Sequence, residues 1–202
     1  MSARTQLRYV KNSHRAQTGA WILMVLTALR LEAAETYSLD ASNTQVSFSV
    51  YHLGIQWITA RFSDISGQFV VDQQASAGRV DVTVGTASLE CGEPRWNERL
   101  RSADWLDVQH YPQMIYHSSH IELAEQQAVA SGELTLHGVT RPIVLSVSLL
   151  KCSSAGHCQF AAHGRIKRSE YGLPHGFWSG GDQVDIAISG TLSRGANSSA
   201  SG

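Results

Sequence analysis

Charge is scarce in these 202 residues: 16% are Asp, Glu, Lys or Arg, and 17 acids against 16 bases leave a net −1. A nucleic-acid partner needs a clustered basic face that displaces counterions, so that class is excluded. With 43% apolar residues the chain is also no acid-rich disordered segment. Long apolar runs are missing too, the longest being the ten residues from Ala20 to Leu29, where a spanning helix needs about 20. That makes a permanent membrane anchor the weaker reading. Familiar catalytic signatures are absent: no G-x-S-x-G elbow, P-loop, H-E-x-x-H or dinucleotide fingerprint occurs. What remains is a length that can bury one core without metals or disulfides.

The near-neutral total conceals two unlike parts. Residues 1 to 34 hold Arg4, Arg8, Lys11, Arg15 and Arg30 against Glu32, a net of +4, so the remainder carries −5. Basic residues, then the apolar run AWILMVLTAL, then Ala33 and Ala34 follow the order of a secretory signal peptide. We expect residues 1–34 to be an export leader cleaved near Ala34, with the mature protein secreted into the periplasm. No cysteine lies near that point, which argues against a lipoprotein anchor.

The three cysteines, Cys91, Cys152 and Cys158, all fall in the mature part, where export permits oxidation. Cys152 and Cys158 flank the turn-forming SSAGH between two strand-like runs, which suits a disulfide across a hairpin mouth. The rival is a metal site of Cys152, His157 and Cys158, but three ligands without a fourth make a poor zinc signature. Cys91 is left odd, with no evident His partner to activate it.

From Tyr37 onward the dominant period is two, the mark of strands with one buried face. Val46, Phe48 and Val50 alternate with polar residues, as do Val80, Val82 and Val84, then Met114, Tyr116 and Ser118, then Ile143, Leu145, Val147 and Leu149. Further runs include Phe69 and Val71, Leu134 and Leu136, Phe160 to Ile166, and Val184, Ile186 and Ile188, with another strand near Ile58 to Phe62. Turn signals at Ser76 to Gly78, Gly132, Gly138, Ser153 to Gly156 and Gly180 to Asp182 predict antiparallel connections. Pro94 to His110 breaks the pattern: Trp96, Leu100 and Trp105 at helical spacing predict one or two short helices, the second capped by Ser102 or Asp104. Eight antiparallel strands make either a sandwich or a closed barrel. A barrel of that size holds packed side chains or one small ligand.

Specific strings narrow the choice. YSLDASNTQVSFSVYHLGIQWITARFSDISGQFVVD (Tyr37 to Asp72), ASLECGEPRWNERLRSADWLDVQHYPQMIYHSS (Ala87 to Ser119), GELTLHGVTRPIVLSV (Gly132 to Val147), RIKRSEYGLP (Arg165 to Pro174) and VDIAISGTL occur in that order. Together they resemble the YceI-like, polyisoprenoid-binding family over roughly Tyr37 to Leu192. The resemblance implies an all-β fold: an extended antiparallel eight-stranded lipocalin-like β-barrel with a short helical insert, occupying 35–193; the tail at 194–202, small and polar, is expected to be disordered. The resemblance implies no cofactor, and a long-chain apolar small molecule as partner: a polyisoprenoid, a quinone or a fatty-acid-derived ligand. It also suggests a homodimer. Ala60 stands where the family usually has Gly, Cys91 where Thr or Ser is common, and Arg99 where His is frequent; none removes an inward apolar position.

On that fold, candidate ligand-binding residues are Phe48, Val50, Phe62, Phe69, Val82, Met114, Tyr116, Leu134, Leu145, Ile166 and Ile186. His52, next in an inward series, is either a hydrogen-bonded interior histidine or a headgroup contact; Tyr116 and His137 are weaker headgroup candidates. Arg61 and Asp64 are expected as solvated charges. His117 and His120, three apart in an extended run, are expected on opposite faces, which disfavours a two-His metal site. We expect no catalytic and no metal-ligating residue, the alternative being a metal- or Cys/His-dependent enzyme on the same scaffold. Alternation leaves open whether the interior is solid or hollow.

Overall fold

A computed structural model describes residues 34–52, 56–72, 77–124, 126–175 and 181–195. The expected leader, save Ala34, and the expected tail from residue 196 onward lie outside the described residues. Ten strand segments carry the chain: β1 (Glu35–Leu39), β2 (Gln45–His52), β3 (Gln56–Phe62), β4 (Ile65–Asp72), β5 (Ala77–Gly85), β6 (Gln113–Ala124), β7 (Gln127–Leu136), β8 (Val139–Cys152), β9 (His157–Lys167) and β10 (Gln183–Arg194). Helix α1 (Pro94–Arg101) separates β5 from β6. Among the described residues no helix is long and apolar enough to cross a membrane.

Two pairs of segments are single strands broken in the middle. Between β1 and β2 lies a 3-10 turn, Ala41–Asn43. The Asp40 carboxylate accepts from Ser42 N at 3.0 Å, from the Ser42 hydroxyl at 2.6 Å and from the Asn43 amide at 2.7 Å, bonds that hold its pKa below the ordinary carboxylate value. Ser63 and Asp64 separate β3 from β4. With each broken strand counted once, eight strands pair antiparallel in next-neighbour order, and the first also pairs with the last. Tyr37 lies opposite Arg194, and Val46 opposite Ile188. The result is a closed eight-stranded antiparallel barrel, which leaves few strand edges unpaired. Arg194, assigned from the sequence to the tail, is instead the last residue of β10.

Alternation sorts the side chains as expected. On β6, Met114, Tyr116 and Ser118 are buried and Gln113, Ile115 and His117 exposed. His117 and His120 correct the expectation, because both are exposed. His117 pairs with Glu133 and His120 with Ser131, three positions against two. The extra residue is a β-bulge, and it resets which positions face outward. Ser118, fully buried inside the bulge, places its hydroxyl 2.6 Å from the Ser131 carbonyl and 2.9 Å from that of His120.

The outer edge of β3 departs from β5. The β4–β5 register ends at Ile65 opposite Val84, and beyond it Arg61 pairs only with Glu90 in an isolated bridge. The segment from residue 86 to 112 fills this end. Thr86, almost wholly buried, ties its two ends together: its N–H donates to the Pro112 carbonyl at 2.9 Å and its hydroxyl to that of Tyr111 at 2.8 Å. One helix forms there, not two. Glu93 caps α1 with its carboxylate, Pro94 takes the first turn where no N–H is needed, and Ser102 stops the helix rather than starting another. The rest, to His110, is a chain of turns that includes Asp107 at φ 46°. Cys152 and Cys158 close the β8–β9 hairpin as a disulfide, which removes the rival metal site; His157 bonds instead to the Ser193 hydroxyl at 3.0 Å.

Candidate functional site

Among the described residues, two apolar hollows open in the interior. Chamber one lies in the barrel body and leaves about 70 Å³ for the centre of a water-sized sphere. Chamber two lies between the β2–β3 side and the insert and leaves about 100 Å³. One water needs about 10–15 Å³ on that measure, and apolar voids of such size stay dry. Small inward residues help open chamber one: Ala130 on β7 and Ala162 on β9 stand where larger side chains would reach across.

Of the candidate residues, Phe48, Phe69, Val82, Met114, Tyr116, Leu134, Leu145 and Ile186 line chamber one. Val50, Phe62 and Ile166 line chamber two. Phe48 and Met114 belong to both and stand between them, with Phe48 edge-to-face on Phe62 at 5.3 Å. Phe69 and Phe160, 5.9 Å apart, both border chamber one and belong to the apolar cluster packed around Leu192. His52 closes β2 opposite Gln56, and its side chain lies outside the described part of the molecule.

Polar groups on these walls are few. The Tyr116 hydroxyl donates to the Ala130 carbonyl at 2.9 Å, and burial raises its pKa. Neither Thr44 nor Arg168 is singled out by the sequence. Thr44, 6% exposed, is among the residues around chamber one, and its hydroxyl, packed against Gly190, has no hydrogen-bond partner among the described residues. Arg168, 5% exposed, lines chamber two; its guanidinium lies 5.5 Å over the Trp105 ring and donates to the Gly181 carbonyl. Burial lowers its pKa and the nearby Asp182 carboxylate opposes that shift.

The other candidates lie off these walls. His137 sits with Gly138 in a tight turn, at φ 52° and 73°, its ring 4.5 Å from Tyr111. Arg61 and Asp64 are exposed. Cys91 is half-buried and its thiol donates to the Asn97 side-chain oxygen at 3.0 Å. Asn97, buried on α1, also donates to Glu90 at 2.6 Å, so this cluster fastens the insert to the β3 bridge. Among the described residues, no group of three or more His, Cys, Asp or Glu is placed to hold a metal.

Comparison with known proteins bears on this arrangement. A family model described as YceI-like domain matches residues 37–192. Protein YceI of Escherichia coli O157:H7 is 30% identical over 163 residues, covering 77% of this chain and 85% of that protein. The crystal structure of Burkholderia cenocepacia BcnA superposes with a TM-score of 0.69 at 25% identity, covering 77% of this chain and 99% of that one. A polyisoprenoid binding domain from Saccharophagus degradans, implicated in plant cell wall breakdown, shares the fold with a TM-score of 0.61 at 19% identity, covering 79% of this chain and 98% of that one.

Proposed function

The chain belongs to the YceI-like domain family, and from that premise we propose that it binds a long-chain apolar small molecule inside its barrel, for carriage or sequestration. Isoprenoids, quinone tails and fatty-acid derivatives are the classes that fit. The observation that carries this reading is the pair of adjoining apolar chambers within a closed barrel. Each buried methylene contributes about 0.8 kcal/mol, so a tail of about 15 carbons gains roughly 12 kcal/mol gross. Ordering and association reduce that figure but leave useful affinity without any ion pair. The role is therefore binding rather than turnover. The basic and apolar leader further supports export, with the barrel acting outside the cytoplasm.

Native mass spectrometry of protein purified from its own compartment tests the reading. We expect stoichiometric lipid and a mass lacking the leader. Protein that is consistently empty, and that takes up neither a quinone nor a fatty amide, overturns it. The same spectrum reports whether two copies associate.

A further inference from the structure

Neighbouring strands of this barrel are joined by runs of paired residues; β7 and β8, for example, stay in register from Gln127 opposite Ser148 to Leu136 opposite Val139. One strand is held differently. Among the described residues β3 pairs with β2 alone, and its other edge meets only the isolated bridge to Glu90. That bridge is two bonds of 2.8 Å, from Arg61 N–H to the Glu90 carbonyl and from Glu90 N–H to that of Arg61. The N–H and C=O groups of Thr59 and Trp57 face the same edge, because direction alternates along a strand, and no described strand takes them up. Chamber two lies behind this seam, with Ala60 and Phe62 on the β3 side and Leu89, Leu100 and Trp105 on the side of the insert. The insert has the build of a flap. Its base is pinned where Thr86 bonds to Tyr111 and Pro112. Its far part is fastened at Glu90, whose carboxylate accepts from Gly92 N–H at 2.7 Å and from the Asn97 amide at 2.6 Å. The opposite end of the barrel is tied shut instead: the turn of the disulfide-closed β8–β9 hairpin accepts a bond from Arg194 N–H at the Gly156 carbonyl, at 2.9 Å.

Parting this seam costs two backbone bonds and the contacts of Glu90, where parting any other stretch of wall costs a ladder, and local opening follows the weakest junction. We propose that the seam between β3 and the insert is the portal through which a chain-like ligand reaches chamber two, and that the Arg61–Glu90 bridge is its latch. This rests on the reading of the barrel as a lipid site and adds the route by which that site fills. A long tail suits the route. It slides in lengthwise past Ala60, whose side chain is a single methyl group, and continues between Phe48 and Met114 into chamber one.

The test locks the latch. Directly opposed residues of an antiparallel pair stand about 5.5 Å apart between Cα atoms, inside the range of about 4.4–6.8 Å that a disulfide spans, so Arg61→Cys with Glu90→Cys can be cross-linked. The pair is made in a Cys91→Ser parent, which keeps a donor for the Asn97 side-chain oxygen and prevents mispairing. Stopped-flow fluorescence follows uptake of octadecyl dansylamide by delipidated protein and its release into excess oleamide. Oxidised, the double variant should lose at least about tenfold in both rates; reduced, it should exceed the parent about threefold in both, because the Glu90 carboxylate is gone. Affinity should change less than about threefold in either state, since a portal alters both rates together. The parent, oxidised and reduced alike, controls for Cys152–Cys158. Asn97→Ala, which unfastens Glu90 without any cross-link, should also speed both rates, and melting curves verify that each barrel is intact. Rates indifferent to the cross-link and to Asn97→Ala, or an affinity change without a rate of uptake to match, overturn the portal while leaving the lipid site standing. If the parent takes up no probe, the lipid site and its portal both fail.

Discussion

Arg168 and Tyr171 lie on one short 3-10 turn after β9, and burial moves their protonation equilibria in opposite directions. Tyr171 is 1% exposed, its hydroxyl has no hydrogen-bond partner among the described residues, and desolvation, assisted by Glu170, pushes its pKa up to about 12. The folded state therefore holds this proton more tightly than the unfolded chain, whose phenol titrates near 10. Its contribution is complete below about pH 10 and is lost as the pH rises through about 12. A shift of about two units corresponds to roughly 2–3 kcal/mol. Melting temperatures of Tyr171→Phe and wild type should accordingly converge or favour the variant at neutral pH, where the unpartnered hydroxyl is gone. Above pH 10 the variant should lose stability less steeply. Parallel pH profiles would refute the assignment.

At the scale of elements, alternation made most strands legible because one face of each is buried and the other is wet: β6 and β10 follow it residue by residue until a local device intervenes. The bulge after His117 is such a device. Its extra residue cannot be read from hydrophobicity, since Ser118 and Gly132, which make it, are small and weakly polar. Ser102 was ambiguous for another reason, as serine suits both the start of a helix and the carbonyl bonding seen here at its end. Thr44 stands just outside an alternating run, and its burial depends on the space that Gly190 leaves on β10. The chambers themselves depend on gaps between side chains, which no single strand encodes. The β8–β9 hairpin carries its own prediction. Its Cys152–Cys158 bond closes a loop of sequence separation 6, for which the chain-entropy relation gives about 2 kcal/mol. A Cys152→Ser, Cys158→Ser double variant should unfold at correspondingly lower denaturant with wild-type ligand affinity, because neither cysteine lines a chamber. A large loss of affinity would mean that the hairpin end shapes the cavity.

For the whole molecule, a hollow barrel implies a link between occupancy and stability that a solid one lacks. A ligand bound only by the folded state, at 100 times its Kd, stabilises by about 2.7 kcal/mol. In a domain of this size each kcal/mol moves Tm by roughly 2–4 °C, so saturation should raise it by roughly 5–10 °C. Filling the space with protein should abolish that response. Ala130→Phe places a ring in chamber one, where 2% exposure and an inward direction leave it no other course. Its cost is limited, because the void accepts atoms that a packed core would reject, and overpacking there is confined to about 1–3 kcal/mol. The expected outcome is a folded Ala130→Phe barrel whose Tm no longer rises with oleamide while that of wild type does. If the variant responds as fully as wild type, the ligand occupies chamber two alone, and the barrel body serves as core rather than as container.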